Sequence, residues 1–393
     1  MKRIFLLIFA AVFTAALGFG QELKFDGYVN SGLGLWTSNR KDSNGDTEKP
    51  QIMVYGVDSE RYIGRFRLNG AYTNEDNTAG ASFRLQVQGQ GASSAYPNAP
   101  SLAFGYGWLK LLDMITIKAG LVDDSTWATA DVIFNDDQSE GAGVLVKVTP
   151  IEGLDFGVGG YAASYASGSN NNFLDMSLPS QVEYKDAKWT VNAAYTMEKL
   201  FRIMVSGRTK NTTGGDAANT EPSQALAELR LLMVDNLTAV IVGRVITLDD
   251  FGDNGQMQFF ETVGYKIGDL AFGLNAAQYM KNKPSGSTTK DDISLRFNPW
   301  VSYAFIDGKI VPRLDAVYFM GGDQNKQNYH RRGFTDPNFD KDTYVLNVRP
   351  SLKINVDSRT SLEIGDAFYY SKQGKNADSV TTNVFYADIT VKF

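Results

Sequence analysis

The feature that most constrains this chain is a two-residue alternation of apolar and polar side chains, in segments of about ten residues. In one such segment Phe83, Leu85 and Val87 share a face, and polar residues occupy the positions between them. The same alternation recurs at 65–72, 188–196, 344–354 and 384–393. Period two with one apolar face is the pattern of a β-strand whose two faces meet different surroundings. The sequence therefore predicts an all-β protein.

The segments are joined by connections of two lengths that alternate along the chain. Eight are short, as at 111–114 and 266–269, and nine long polar ones lie between them, as at 37–60 and 321–342. Barrels of outer membranes have short turns on one side and long loops on the other. Ten residues at about 3.3 Å per residue, tilted by ~40°, cover about 25 Å, which is the height of such a membrane's apolar band. The pattern predicts a transmembrane antiparallel up-and-down β-barrel.

The number of connections predicts 18 strands, an even number that places both ends of the chain on the periplasmic side. Sixteen strands stay open as an alternative. The segment 184–188 is interpreted as a bulge within one long strand, because a turn there would make the number of strands odd. Pro299 and Pro350 fall inside predicted strands, where each removes a ladder hydrogen bond, and both are interpreted as bulge sites.

The first residues have the composition of a secretory signal peptide. Lys2 and Arg3 precede an apolar run, and small residues follow where a signal peptidase would cut. The run is too short to span a bilayer comfortably. We therefore predict a signal peptide at 1–20, which is removed on export, and a single transmembrane barrel domain at 21–393.

Composition excludes several classes of function. The chain has no cysteine, which rules out disulfides and thiol catalysis. Its 38 basic and 44 acidic residues give a net charge of −6, so nucleic acid is not an expected partner. No cofactor or metal ion is predicted, although calcium binding stays open at 249–255, which has carboxylates without the ordered spacing of a calcium loop. The only histidine, His330, lies in a predicted external loop without a hydrolase pattern around it, so an enzyme is not predicted.

The last strand resembles that of outer-membrane porins, which end in Phe with apolar residues at alternate positions before it. Phe393, Val391, Ile389, Ala387 and Phe385 match that pattern. The chain is also similar in length to porins of 16 and 18 strands. The resemblance implies location in the outer membrane in contact with its lipid, recognition of Phe393 by the barrel-assembly machinery, closure of the last strand against the first, and a homotrimer.

A barrel of this size must be narrowed if it is to discriminate between solutes. Eighteen strands at ~4.8 Å spacing give a backbone diameter of roughly 35 Å. In the porins that the chain resembles, the third external loop folds into the lumen. Here the third long loop carries Trp127, Val132, Ile133 and Phe134, which are unusually apolar for a free loop. Its acidic residues are predicted to form the constriction: Asp123, Asp124, Asp131, Asp136, Asp137 and Glu140.

Arginines on the predicted lumenal phase of the strands form the other half of the candidate site. They are Arg65, Arg67, Arg84, Arg202, Arg208, Arg230, Arg244, Arg296, Arg313 and Arg349. A guanidinium stays charged and offers a planar fork to carboxylates and phosphates. An acidic loop that faces a basic wall would create a transverse field favouring polar solutes. The alternative is that the loop acids are simply solvated, and that the arginines pair with local carboxylates such as Glu228 and Asp315.

Aromatic residues have two predicted roles. Trp36, Tyr72 and Trp108 fall near strand ends, which is typical of the aromatic girdles at membrane interfaces. Trp300 and Tyr386 are predicted to face the lumen, where they would fill space or stack on sugar rings.

The leading hypothesis is an outer-membrane porin, a water-filled channel for passive diffusion of small polar or charged solutes. The alternative is a surface adhesin or structural barrel, whose external loops, such as 321–342, bind a partner. A barrel enzyme built around His330 is a third hypothesis. Conductance in a planar bilayer separates the porin from the other two, because only an open lumen carries a steady ion current.

Overall fold

In a computed structural model the chain forms a closed β-barrel. The structure describes residues 22–39, 45–47, 49–53, 65–88, 101–124, 127, 140–163, 187–212, 220–282, 292–321, 343–372 and 378–393. The predicted signal peptide and most of the long external loops lie outside these residues. Within the described part of the chain, 18 antiparallel strands form the barrel, which confirms the predicted fold class and strand number. No helix in that part is both long enough and apolar enough to cross a membrane.

The strands are numbered along the chain. They are β1 (Glu22–Ser38), β2 (Arg65–Thr73), β3 (Ala79–Gln88), β4 (Ser101–Leu111), β5 (Ile115–Asp123), β6 (Glu140–Ile151), β7 (Leu154–Ala163), β8 (Lys188–Met197), β9 (Phe201–Arg208), β10 (Gln224–Leu231), β11 (Leu237–Ile246), β12 (Gln256–Ile267), β13 (Leu270–Lys281), β14 (Asp292–Tyr303), β15 (Ile310–Gly321), β16 (Tyr344–Asn355), β17 (Thr360–Lys372) and β18 (Ser379–Lys392). Each pairs with the next, and β18 pairs with β1, so the sheet has no free edge.

Short elements lie beyond the long-loop ends of the strands. The strand Gln51–Met53 pairs with the end of β1. A small ladder joins Asn211–Thr212 to Thr220–Glu221. A 3-10 turn at Leu248–Asp250 leads into one helical turn at Phe251–Asn254.

Side chains of the wall divide into two faces, as the two-residue alternation predicts. Large apolar side chains on one face are about half exposed, as are Leu33 (54%) and Ile241 (53%). Their neighbours on the other face are often polar and buried, such as Asn192 (1%) and Gln224 (1%). Hydrocarbon accepts the apolar face, whereas a lumen accepts the polar one. The exposed face is therefore the outer wall, and the face with buried polar groups lines the lumen.

The short connections fall at the eight predicted positions, between consecutive strands. Several use left-handed backbone conformations, as at Leu112 (φ 52°) and Asp113 (φ 55°), which reverse the chain between β4 and β5. In the turn before β17 the carboxylate of Asp357 accepts the backbone N–H groups of Arg359 and Thr360, each at 2.7 Å. These two bonds stabilise the charged form and lower the pKa of Asp357.

The interpretation of Pro299 and Pro350 as bulge sites is wrong. Pairing between β14 and β15 is interrupted beside Pro299, but the register on both sides of the interruption is the same. The ladder between β16 and β17 is likewise interrupted beside Pro350, and its register is also the same on both sides. Each proline lacks an N–H, so the ladder loses bonds there without gaining a residue. Register shifts occur instead in the ladders between β3 and β4 and between β6 and β7. The segment 184–188, also interpreted as a bulge, lies mostly outside the described residues.

The seam between β18 and β1 is closed at the C-terminal residue. Phe393 exchanges two backbone hydrogen bonds with Gly27, both at 3.1 Å. Its ring stacks on Phe66 of β2, with centroids 6.2 Å apart and planes inclined by 22°. Because Gly27 lacks a side chain, the Phe393 ring lies directly over the backbone of β1. Recognition of Phe393 by the assembly machinery stays a prediction.

Candidate functional site

The ten arginines predicted as a basic wall all occupy the face of the strands that lines the lumen. Arg67, for example, lies between Phe66 and Leu68, which point outward, and pairs across the ladder with Tyr28 and Gln86 on the inner face. The arginines fall into three groups, on β2–β3, on β9–β11 and on β14–β16. Strand alternation brings together residues that are far apart in the sequence, since neighbouring strands of a barrel are about 4.8 Å apart.

The group on β2–β3 is held mainly by neutral partners. Arg65 donates to the hydroxyl of Tyr28 at 3.1 Å, and Arg84 Nε donates to the amide oxygen of Asn69 at 2.8 Å. Among the described residues, Asp123 Oδ2 lies 3.9 Å from Arg84 Nη1. These hydrogen bonds fix the planes of the two guanidinium groups.

The group on β9–β10 is a charge triad. Glu228 is almost fully buried (2% exposed), and its Oε1 lies 3.1 Å from Arg202 Nη1 and 3.2 Å from Arg230 Nη2. This pairing agrees with the alternative given in the sequence analysis, in which arginines pair with local carboxylates such as Glu228. One carboxylate thus contacts two guanidinium groups, and these charge-assisted contacts fix the two arginines on neighbouring strands.

The group on β14–β16 combines an ion pair with an aromatic stack. Asp315 accepts two hydrogen bonds from Arg313, at 2.6 and 2.8 Å, and lies 3.7 Å from Arg349. The guanidinium of Arg313 lies over the ring of Trp300, 4.6 Å from its centroid. Stacking and a bidentate carboxylate together fix the plane of Arg313.

The remaining arginines extend this basic face. Arg244 is hydrogen-bonded to the amide oxygen of Gln258 and lies 5.7 Å from the ring of Phe260. Arg208 and Arg296 lie on the lumenal faces of β9 and β14.

The acidic loop lies only partly within the described residues. Asp123 ends β5, and Asp124 is buried and paired with Lys118 at 2.8 Å. Glu140 begins β6, without a described side chain. Asp131, Asp136 and Asp137 lie outside the described residues, so their part in a constriction stays a prediction.

Trp127, in the third long loop, is packed inside the barrel. It is fully buried, and its backbone N–H donates to the carbonyl of Asp124 at 3.3 Å. Its ring lies against Gly157 of β7, where an added Cβ would come within 2.9 Å of it. Lys147 of β6 lies 5.7 Å from the same ring. Gly157 and Lys147 both belong to the lumenal face, so Trp127 lies on the lumenal side of the wall.

An apolar patch on the lumenal wall was not predicted from the sequence. Its side chains on β9 to β12 are 0–4% exposed: Met204, Leu226, Val240, Val242 and Phe260. Each lies between outward-facing neighbours on its strand, so each belongs to the lumenal face. In an open water-filled barrel these side chains would be wet. The sequence does carry an indication of this patch. Apolar residues occupy both faces of β11, which is unusual in a strand with one face in contact with water.

Lysines of the lumenal wall were also missed, because only arginines were considered. Lys118, Lys147 and Lys188 all lie on the inner phase, and Lys188 is fully buried 5.1 Å from the ring of Tyr161. Their positions could have been read from the same alternation that placed the arginines.

Two of the aromatic residues assigned to the interfacial girdle face the other way. Trp36 and Trp108 lie on the lumenal phase, since they pair across the ladder with Val384 and Gly80 of the inner face. The reason is phase: position near a strand end does not decide which side a side chain faces. Trp300 lies on the lumenal face as predicted. It covers Gly273, where an added Cβ would come within 2.8 Å of its ring.

Tyr386 is likewise lumenal and buried, and its hydroxyl donates to Glu363 at 3.3 Å. One face of the Trp300 ring lies on glycine and Arg313 lies over the ring. Neither ring therefore presents a bare face for stacking on a sugar.

The segment 249–255, considered for calcium, is organised by protein contacts. The Asp249 carboxylate accepts a hydrogen bond from the Ser223 hydroxyl, and this bond lowers the pKa of Asp249. Within the described residues no three His, Asp or Glu side chains come together as a metal site requires.

Comparisons with known proteins identify the fold of this chain. No protein-family model and no curated protein matches the chain. Among solved structures, Pseudomonas aeruginosa OpdK, determined with vanillate, is 13% identical with a TM-score of 0.57, over 95% of this chain and 99% of its own. Acinetobacter baumannii OccAB1 is 14% identical with a TM-score of 0.56, over 94% and 97%. Pseudomonas aeruginosa OprD is 10% identical with a TM-score of 0.52, over 95% and 96%. The chain has the barrel fold of these outer-membrane porins.

Proposed function

We propose that this protein is an outer-membrane porin, a water-filled channel for the passive diffusion of small polar or charged solutes. The observation that carries the proposal is a closed barrel of 18 strands whose lumenal face holds ten arginines, several of them fixed by neutral partners. Charged guanidinium groups are costly in an apolar interior, so this wall supports a lumen that contains water or anions. The apolar outer wall and the fold shared with OprD and OccAB1 support a place in the outer membrane. Export with cleavage of 1–20 is part of the proposal.

The third external loop forms the constriction in this proposal. Trp127 supports it, because this residue of the loop is buried against the lumenal face. The covered apolar patch on β9–β12 supports it as well, since something must exclude water from Met204 and Phe260. The loop supplies matching apolar residues, Ile133 and Phe134, in the same stretch as its carboxylates. An apolar anchor would hold the acidic residues in the lumen, opposite the basic wall.

Small carboxylates are the solutes that this wall suits best. Guanidinium groups bind carboxylates in a planar, bidentate way. In this proposal the arginines of β2–β3 and those around Glu228 supply positive charge along the lumen. The structure of OpdK was determined with vanillate, which is a carboxylate. Acidic residues at the constriction would tune this preference, because a field matters only where the pore is narrow compared with the screening length of about 8 Å.

Neutralising the loop carboxylates tests the constriction. We expect the combined replacement Asp131→Asn, Asp136→Asn and Asp137→Asn to raise the ratio of anion to cation permeability by about twofold, because negative charge is removed at the narrowest point. The measurement is the reversal potential across a planar bilayer under a salt gradient. The matched control replaces Asp76 and Asp113 with Asn, since both lie in short turns outside the lumen.

An unchanged reversal potential in the triple variant would reject the placement of the loop. A wild-type protein that inserts as a folded barrel but gives no conductance would instead favour an adhesin or structural barrel. No enzymatic role is part of this proposal.

Removing the Trp127 anchor tests how the loop is held. We expect Trp127→Ala to raise single-channel conductance by about twofold, because the inward turn of the loop loses its packing against Gly157. Single-channel recordings in a planar bilayer measure the effect. Trp189→Ala is the control, since Trp189 is exposed on the outer wall. Equal conductance of wild type and Trp127→Ala would show that this residue does not position the constriction.

A further inference from the structure

A hydrogen-bonded pair of polar side chains lies on the outer wall, on the neighbouring strands β12 and β13. Glu261 occupies the outward phase of β12, where it is paired across the ladders with Ile241 and Ala276. Gln278 occupies the same phase of β13, opposite Phe259. The large side chains beside the pair are apolar and exposed, as Ile241 (53%) and Phe259 (37%) are. The pair therefore lies within the apolar surface that the barrel presents to lipid.

The hydrogen bond between the two side chains fixes the orientation of the Gln278 amide. Its Nε2 donates to Glu261 Oε1 at 3.2 Å. A carboxylate oxygen accepts hydrogen bonds and does not donate them, so the nitrogen of the amide points at Glu261. The second N–H and the oxygen of this amide make no hydrogen bond within the described part of the chain. Gln278 is exposed, so one donor and one acceptor of its amide face the lipid.

Hydrocarbon does not satisfy the hydrogen-bonding groups of this pair. The second oxygen of Glu261, Oε2, is buried and has no hydrogen-bond partner among the described residues. Unsatisfied polar groups and carboxylates are unfavourable inside a membrane, because acyl chains offer neither donors nor acceptors. A neighbour with hydrogen-bonding groups of its own would therefore be favoured beside Gln278 over a plain acyl chain.

The height of Gln278 on the barrel decides which part of a lipid it meets. It follows Leu270, the first residue of β13 after a short turn, by eight residues. At a rise of about 3.3 Å per residue and a tilt of ~40°, Gln278 lies about 20 Å above the periplasmic end of its strand. The apolar band is about 25 Å high, so this amide lies about 5 Å below the external edge of the band. Acyl chains are joined to their headgroups near that edge.

The chemistry of this junction distinguishes two classes of lipid. An ester linkage has oxygens that accept hydrogen bonds and no donor, so it can satisfy the second N–H of Gln278 but not the amide oxygen. A lipid with an amide linkage has an N–H as well, and it can therefore satisfy both groups. We propose that Gln278, held in place by Glu261, binds an outer-leaflet lipid with an amide-linked acyl chain, whose N–H donates to the oxygen of Gln278. This inference rests on the membrane-spanning barrel and does not depend on the channel.

Competition between two lipids with the same headgroup tests the site. The barrel is reconstituted in vesicles that contain equal amounts of palmitoyl sphingomyelin, which has an amide-linked chain, and dipalmitoyl phosphatidylcholine, which has only ester-linked chains. Mass spectrometry after extraction in detergent then measures the lipids that stay bound to the folded barrel. We expect the amide lipid to be enriched at least about threefold over the ester lipid, because it makes one more hydrogen bond in apolar surroundings.

Substitutions on the outer wall locate the binding. We expect Gln278→Leu to abolish the enrichment, whereas Ser31→Leu, the matched control, should leave it unchanged. Ser31 is an exposed polar residue on the outward phase of β1, opposite Ile389. Glu261→Gln keeps an acceptor for the Gln278 amide and should retain the enrichment, whereas Glu261→Leu should lose most of it. Leucine suits lipid at these positions, and electrophoretic mobility without heating checks that each variant is folded.

Equal retention of the two lipids by the wild-type barrel would overturn the proposal, and this is also the result expected if a second copy of the chain covers Gln278. An enrichment that persists in Gln278→Leu would overturn it as well. So would equal enrichment of an N-methylated form of the amide lipid, which lacks only the N–H. Gln278→Leu is expected to conduct ions like the wild type, because the change lies on the outer wall. Loss of lipid binding and failure of the porin proposal are therefore separate results.

Discussion

Replacing Glu228 with alanine is expected to lower the free energy of unfolding by about 3 kcal/mol, the low end of the range for breaking a buried ion pair. Glu228 is almost fully buried between Arg202 and Arg230, at 3.1 and 3.2 Å. Without the carboxylate, two guanidinium groups repel each other across neighbouring strands. The low end applies because the side chains of Arg202 and Arg230 keep 18% and 32% exposure, and lumenal water screens part of the repulsion.

The measurement is unfolding by denaturant in lipid vesicles, followed by tryptophan fluorescence. Glu198→Ala in a short turn is the control, with an expected change within about 0.5 kcal/mol. The free energy of unfolding of Glu228→Gln should lie between those of Glu228→Ala and Glu198→Ala, because an amide oxygen still accepts one hydrogen bond. Removal of this carboxylate should also move the reversal potential towards anions. Equal stability of Glu228→Ala and wild type would show that lumenal water, rather than Glu228, compensates the two arginines.

Closure of the barrel is expected to fail when Gly27 is replaced by alanine. An added Cβ would lie 2.1 Å from the carbonyl oxygen of Arg67 and 2.8 Å from the ring of Phe393. The first contact is with backbone, so β1 and β2 would have to separate. The second would move the ring that stacks on Phe66 at the seam. We expect a loss of at least about 3 kcal/mol, and a folded fraction well below that of wild type.

Electrophoresis of refolded protein without heating measures this effect, because a folded barrel migrates differently from an unfolded chain. Gly107→Ala is the matched control: it is a glycine of the same outer face with no heavy atom closer than 3.8 Å to the added Cβ. If Gly27→Ala folds to the same yield as this control, the close approach at the seam is not required for closure.

Many features of the barrel could be predicted from local pattern. Phe83, Leu85 and Val87 face outward as their alternation indicates, and the arginines between such residues face inward. The eight short turns were found from length and composition alone. These predictions succeed because a strand has only two faces, so one apolar face fixes the orientation of every residue in the strand.

Features that depend on neighbouring strands were not accessible in this way. Pro299 has no N–H to donate to the ladder. Whether the register changes there depends on how β15 pairs with β14 on the far side of the proline, and the sequence of β14 alone does not show this. Trp36 and Trp108 were placed by distance from a strand end, whereas the ladder partners decide their phase. Glu261 faces outward in a strand that otherwise alternates normally, and only the pairing of β12 with β13 brings the amide of Gln278 to its carboxylate.

The sequence by itself determined the class of fold, the two faces of each strand and the alternation of turns and loops, because these follow from periodicity within one strand. Only the tertiary structure decided which charges meet, as in the triad of Arg202, Glu228 and Arg230, and which apolar side chains are buried inside the barrel, as Met204 is. The physical reason is that pairing across strands joins residues that are distant in the chain. Their contacts depend on the register and closure of the whole sheet.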